Sequence, residues 1–272
     1  MSTKQEYINI SKVLKSKNPR LFALLPRFVI RYIERVIHQE ELNRELYEMR
    51  DLKGVDKFRK FMEFRNVSIE INGAENIPKE GRFIFASNHP HGGPDGVIFT
   101  MVVNSFFKKV KFLVNDILMN IPDVEKIFLP INKHGANNRE CVQGINDAYS
   151  SDNQILIFPA GIVSRKKNGV IKDLEWQKSF IAHAKKYQRD VIPVFISGKN
   201  SNFFYNLANF RKRIGIKANL EMFYLVDELY RHNNETIKIY FGAPVSYTTF
   251  DDSKSTKEWA EVMKQKTYGL IK

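Results

Sequence analysis

Along this chain the spacing of apolar positions is helical at first and strand-like from about residue 66. Residues 19–50, "PRLFALLPRFVIRYIERVIHQEELNRELYEMR", repeat apolar side chains at helical spacing, and Pro26 fits the first turn of the main helix. At about 100° per residue, Leu21, Leu25, Phe28, Val29, Tyr32, Ile33 and Val36 fall in one broad arc. Arg20, Arg27, Arg31 and Arg35 gather outside it. The pattern predicts an amphipathic helix with an arginine edge. Such a helix can pack on its own domain or lie in a membrane interface, and an arc this wide can do both. A second, short helix is expected near Val55 to Phe64.

The stretch "VSIEINGAENIPKEGRFIFASNH" then carries two β-rich runs separated by a Gly/Pro/Lys turn. Further strands are predicted at "KFLVN", "KIFLPI", "QILIFPA", "VIPVFIS" and "TIKIYFG". Helical patterns lie between them at Asp95 to Phe107, Asn138 to Tyr149, Leu174 to Tyr187 and Asn202 to Arg213. Strands alternating with helices predict an α/β fold, a largely parallel mixed sheet flanked by helices. The expected organisation is an N-terminal amphipathic helical element over residues 1–65 and an α/β domain over residues 66–272. In such a sheet the ligand crevice lies beyond the carboxyl ends of the strands.

Composition narrows the partner. With 43 Lys+Arg against 30 Asp+Glu the net charge is +13, which biases the chain towards polyanions: nucleic acid, an anionic bilayer or phosphorylated small molecules. No zinc-finger spacing, RNP-type segment or basic heptad region supports nucleic acid. No apolar run approaches the roughly 20 residues of a spanning helix, so membrane contact is expected to be peripheral. The one cysteine, Cys141, has no internal partner and no signal-peptide pattern opens the chain, so the expected location is cytoplasmic.

Candidate chemistry concentrates in "SNHPHGGPDG" at 87–96, between a predicted strand and a predicted helix. Gly92 and Gly93 permit tight turns, while Pro90 and Pro94 stiffen the path between the ionisable groups. Asp95, near a helix N-terminus, can orient a histidine and stabilise its protonated form, which makes His89 a candidate general base. Two alternatives stay open: a purely structural turn in which Asp95 caps its helix, and an H-x-H-x-D metal set of the kind seen in some hydrolases. The remaining histidines, His38, His134, His183 and His232, show no paired ligand spacing, so no metal is expected. Two more strand-end loops carry cations: "LPINKHGANNRE", with Asn132, Lys133, His134 and Arg139, and "IFPAGIVSRKKNG", with Arg165, Lys166 and Lys167. Together the loops suggest an anionic substrate beside a histidine base.

In order and spacing, "VSIEINGAENIPKEGRFIFASNHPHGGPDG", "IFLPINKHG", "FPAGIVSRK" and "VIPVFISGKN" resemble the four blocks of the phospholipid/glycerol (PlsC-type) acyltransferase family. That family includes 1-acyl-glycerol-3-phosphate acyltransferases and hemolysin-like, ornithine-lipid-type bacterial relatives. The resemblance implies acyl transfer from a thioester, on CoA or acyl carrier protein, to a lysolipid hydroxyl at an anionic membrane surface, without a further cofactor or a covalent acyl-enzyme. It implies His89 as base and Asp95 as its orienter. Asn132, Lys133, Phe158, Pro159, Gly161, Ser164 and Arg165 follow as substrate-binding residues. Two departures stand out. Five residues separate His89 from Asp95 where the family pattern has four, so the loop must absorb one, with His91 as the alternative base. Ala160 stands where phosphatidate-forming members often carry Glu, which points away from lysophosphatidate towards a lyso-aminolipid acceptor. The contrasting expectations are a non-catalytic basic protein that binds anionic membrane or nucleic acid, and the metal hydrolase.

Overall fold

Strand β2 (Phe83–Ser87) is buried along its whole length, and its neighbours on both sides follow from that. Its alternate residues serve two different cores: Phe83 and Phe85 enter one, Ile84 and Ala86 the other. A strand covered on both faces reads as a continuous apolar run rather than as an alternation. This is the case here in a computed structural model that describes residues 6–115, 123–124, 126–131 and 139–271.

The seven-stranded sheet runs β1 (Ser68–Asn72), β9 (Thr236–Phe241), β8 (Asp190–Ile196), β2, β5 (Gln154–Ile157), β3 (Val110–Asn115) and β4 (Phe128–Ile131). From β8 to β4 every pairing is parallel. The β8–β9 pairing is antiparallel, and β1 runs alongside β9. The carboxyl ends of β2, β5 and β8 therefore meet at one edge, where the amino end of β9 also arrives.

One face of the sheet packs against α5 (Val55–Glu63), through Phe58 and Met62, and against α6 (Gly93–Phe106), through Ile98, Phe99, Val102 and Val103. The other is covered by α7 (Arg139–Ser150), α8 (Ser179–Tyr187) and α11 (Thr256–Tyr268). The expected helices and strands of the sheet-bearing part are present among the described residues, with several changes. Helix α8 begins at Ser179 rather than Leu174, because Trp176 turns inward and donates its indole N–H to Asp173. The basic stretch after β5 is a hairpin rather than a loop, β6 (Arg165–Lys167) and β7 (Val170–Lys172), closed by Asn168 and Gly169 with φ of 51° and 80°. An Asn-Gly pair is the usual signal for such a turn. Helix α11, unforeseen, opens on a Ser255/Glu258 capping box that is legible in "STKE".

The stretch predicted as one helix over residues 19–50 divides into α2 (Pro19–Leu24), α3 (Arg27–Val36) and α4 (Gln39–Glu48), preceded by α1 (Ile10–Lys17). Pro26 stands just before α3, since it cannot supply an N–H within a helix. His38, at φ 49°, breaks α3 from α4. Helix α4 is tied down by an ion pair of 2.8 Å between Glu45 and the buried Arg65. Helix α3 has no buried residue: Phe28 is 73% and Tyr32 51% exposed.

Candidate active site

The loop leaving β2 is fastened before it reaches any ionisable group. Asn88 is buried, and its side chain imitates a strand: Nδ2 donates to Ile196 O at 2.9 Å while Oδ1 accepts the Ile196 N–H at 2.7 Å. The chain end of β2 is thereby locked to that of β8. His89 follows, with a side chain 15% exposed over a completely buried Asp95. Its Nδ1 lies 2.9 Å from Asp95 Oδ2, which also accepts the backbone N–H groups of His91 (2.8 Å) and Gly92 (3.0 Å).

The carboxylate accepts at this oxygen, so the proton of His89 sits on Nδ1 and Nε2 is left with its lone pair. Among the described residues Nε2 makes no protein hydrogen bond. Phe158 stacks on the imidazole, with centroids 4.0 Å apart and planes at 12°, and so fixes the ring plane. The extra residue between His89 and Asp95 is absorbed at Gly92, whose φ of +106° favours glycine and whose absent Cβ leaves room for Leu225. Gly93 takes no part in that turn, being the first residue of α6.

His91 is placed differently. It is buried, and both ring nitrogens are engaged: Nε2 donates to Ser197 O at 2.9 Å, and Nδ1 lies 3.2 Å from His232 Nε2. His232 in turn faces Glu235 at 2.8 Å. Burial holds the His91 imidazole below the ordinary histidine value, and the nearby Asp95 carboxylate only partly opposes this. Gly198 seals the site: a Cβ there would lie 2.0 Å from His91 Nε2. His91 and Asp95 thus point at separate partners, and among the described residues no three His, Cys, Asp or Glu side chains converge as metal ligands would.

The third loop builds a wall rather than a row of free cations. Gly161, at φ +68°, turns the chain, and its N–H reaches Phe158 O at 2.9 Å. Pro159 O accepts from Gln177 N, and Ala160 is buried in the sheet's second core. Ser164 is buried: its N–H donates to His89 O at 2.7 Å and its hydroxyl to Asp173 at 2.5 Å. Arg165 is buried too, 3.0 Å from Glu221, a carboxylate it shares with Arg211. Burial alone would raise the Glu221 carboxyl, but the Arg211 hydrogen bond and both guanidinium charges hold it below the ordinary value. Burial lowers Arg165, with Glu221 opposing. Asn132, Lys133 and His134 lie outside the described residues.

Four site residues escaped the sequence reading: Asn88, Asp173, His232 and Glu221. Asn88 alone carried a signal, its place directly before the histidine. The others come from positions 84 to 143 residues distant from His89 in sequence, brought in by the hairpin, by the turn after α9 (Asn202–Arg213), and by the end of α10 (Leu225–Arg231).

A histidine held by a buried aspartate, with its second nitrogen unbonded among the described residues at the carboxyl edge of a parallel sheet, is an arrangement for taking a proton from a hydroxyl or amine. The chain belongs to the acyltransferase family whose profile matches residues 12–272, and it is an O-acyltransferase. It is 44% identical, over 97% of both chains, to the lyso-glycine lipid O-acyltransferase of Bacteroides thetaiotaomicron. It is 41% identical to that of Phocaeicola vulgatus, over 97% of this chain and 95% of the relative. Among solved structures, the 1-acyl-sn-glycerophosphate acyltransferase PlsC from Thermotoga maritima resembles it with a TM-score of 0.48 at 19% identity, covering 97% of this chain and 93% of that one. That likeness is too distant to carry residue roles across.

Proposed function

We propose that the protein transfers a fatty acyl group from an acyl thioester, on CoA or acyl carrier protein, to the hydroxyl of a lyso-aminolipid of the lyso-glycine type. The observation that carries the chemistry is the His89–Asp95 pair, with Nε2 unengaged among the described residues. His89 Nε2 takes the proton of the acceptor hydroxyl as its oxygen attacks the thioester carbonyl carbon. The C–S bond then breaks, the new ester forms, and the thiolate leaves as thiol with the proton returned by His89. Asp95 keeps the imidazole in the required tautomer and balances its charge while it is protonated. The acceptor class is supported by the names of the two relatives that match over nearly the full length.

Residues 1–65 serve in this reading as the membrane-facing element of a catalytic domain spanning 66–272, and the enzyme works peripherally at the inner face of the cell membrane. Arg20, Arg27, Arg31 and Arg35 are all exposed, and a groove of about 440 Å³ lined by Phe28, Val29, Arg31, Tyr32 and Arg35 opens on α3. Among the described residues no helix is long and apolar enough to cross a bilayer. The test is a competition: purified protein, one labelled acyl thioester, and lyso-glycine lipid and lysophosphatidate together in mixed micelles, with products read by mass spectrometry. The diacylated glycine lipid is the expected product. Predominant phosphatidate would overturn the acceptor assignment, and absence of any acylated lipid would overturn the reaction.

A further inference from the structure

Helix α9 completes its inward face and still carries apolar groups outward. Phe204, Tyr205, Ala208 and Arg211 are buried, whereas Phe203 is 47% and Phe210 60% exposed on the other side. The chain that follows continues the pattern. Every residue from Lys212 to Leu220 is exposed, among them Ile214 at 53%, Ile216 at 38% and Leu220 at 37%, with Met222 at 37% beyond. This display is not a loose loop. The Arg211 guanidinium holds it from inside, donating to Glu221, to Asn219 Oδ1 and to Ile216 O, and Glu221 is itself anchored by Arg165 beneath the site. A polar clamp on the inside with apolar side chains outside inverts the usual placement, and the ordered apolar surface is left for something beyond the molecule.

Charge identifies the occupant. Between Asp190 and Glu221 the chain has no acidic residue, and Glu221 is buried and paired, while Lys212, Arg213 and Lys217 stand exposed among the isoleucines. Apolar groups fringed by cations that have no ion-pair partner among the described residues match the boundary of an anionic bilayer. The surface is also continuous with α3: Tyr224 meets Phe203 ring to ring at 4.9 Å, and its hydroxyl bonds that of Tyr32 at 2.6 Å. It lies close to the active-site loop as well, since Leu225, next to Tyr224, is the side chain that a Cβ at Gly92 would touch.

We propose that the outward face of α9 together with residues 212–222 is a bilayer-docking surface for anionic lipid, a second foothold across Tyr32 and Tyr224 from α3. The proposal rests on the reading of the enzyme as one that takes a lipid acceptor. Two paired variants test it, Phe210→Ser with Ile214→Ser and Lys212→Glu with Arg213→Glu, all at exposed positions whose loss leaves the core intact. Binding is measured by cosedimentation with vesicles of phosphatidylglycerol in phosphatidylcholine and with pure phosphatidylcholine, without substrate. Both variants are expected to bind the anionic vesicles at least about tenfold more weakly, with unchanged melting and unchanged turnover of a short, soluble acceptor. The charge-reversed pair should also lose most of the salt dependence.

Unchanged binding of both variants overturns the proposal. So does a change in solution mass without a change in vesicle binding, which would assign the face to a second copy of the chain. Failure of the wild-type enzyme to acylate any lysolipid is a separate result and would strike the reading of the reaction, because the vesicle measurement involves no chemistry.

Discussion

Asp173 accepts the backbone N–H of His89 at 3.2 Å through the same Oδ1 that takes the Ser164 hydroxyl, and its Oδ2 takes the indole N–H of Trp176 at 2.9 Å. Ser164 N closes the circle by donating to His89 O at 2.7 Å. The histidine peptide is held on both sides by the segment that follows β5, which makes Asp173 the positioning residue of the proposed mechanism. Asp173→Asn turns an amide donor towards one of these donors, so kcat is expected to fall about ten- to a hundredfold with KM little changed. Asp173→Ala orphans buried donors at about 1–3 kcal/mol each and should lower the melting temperature as well. Wild-type kcat in Asp173→Asn would show that the clamp is structural only.

His89→Ala is expected to lose about 10²- to 10⁴-fold in kcat with little change in melting, because the ring lies at the edge of the core and, among the described residues, only Nδ1 is bonded. His91→Gln should retain most activity, since a glutamine can still donate to Ser197 O. Steady-state rates of the two variants side by side decide the matter; the reverse pattern would make His91 the base.

His91 also sets a pH dependence of stability. Burial lowers its folded value below 6.5, so as pH falls the unfolded chain takes up the proton first. The contribution is fully present above 6.5 and is lost as pH falls through the folded value. Groups facing the ring act on this in both senses: Asp95 and Glu235 raise it, and His232 lowers it further. Thermal melts at about pH 7.5 and about pH 5.5 should show a larger acid destabilisation in wild type than in His91→Gln. An equal loss in both would place the titration elsewhere.

Lys199 stands exposed three residues beyond the carboxyl end of β8, and in the proposed reaction it is the cation assigned to the carboxylate of the acceptor headgroup. Lys199→Ala is expected to raise KM for the acidic acceptor about three- to fivefold and to leave kcat and the thioester KM unchanged. Initial rates at varied acceptor concentration check this.

Membrane binding through α3 is best tested without truncation, because removal of residues 1–50 would strip the buried Leu46 and Met49 and leave Arg65 without Glu45. Phe28→Ser combined with Arg31→Glu touches only exposed positions. Cosedimentation with anionic vesicles should weaken about tenfold, and unchanged cosedimentation would assign α3 to packing alone.

The sequence by itself determined what depends on neighbours along the chain. The apolar runs of β2 and β8 already announce buried strands, "NHPHGGPD" already sets His89 and Asp95 on either side of one turn, and Pro26 already marks the start of the main N-terminal helix. Helical period, turn chemistry and a six-residue spacing are local properties, and they survive folding unchanged. Only the tertiary structure decided which of two adjacent histidines has a nitrogen to spare, since the answer lies in Ser197 and His232, more than a hundred residues away. It likewise decided that the arginine of "SRKKNG" is a buried strut on Glu221, and that Asp173 grips the His89 peptide. The physical reason is common to these cases: a buried polar group must find partners, and the sheet order β9–β8–β2–β5, not the order of the chain, determines which groups are in reach.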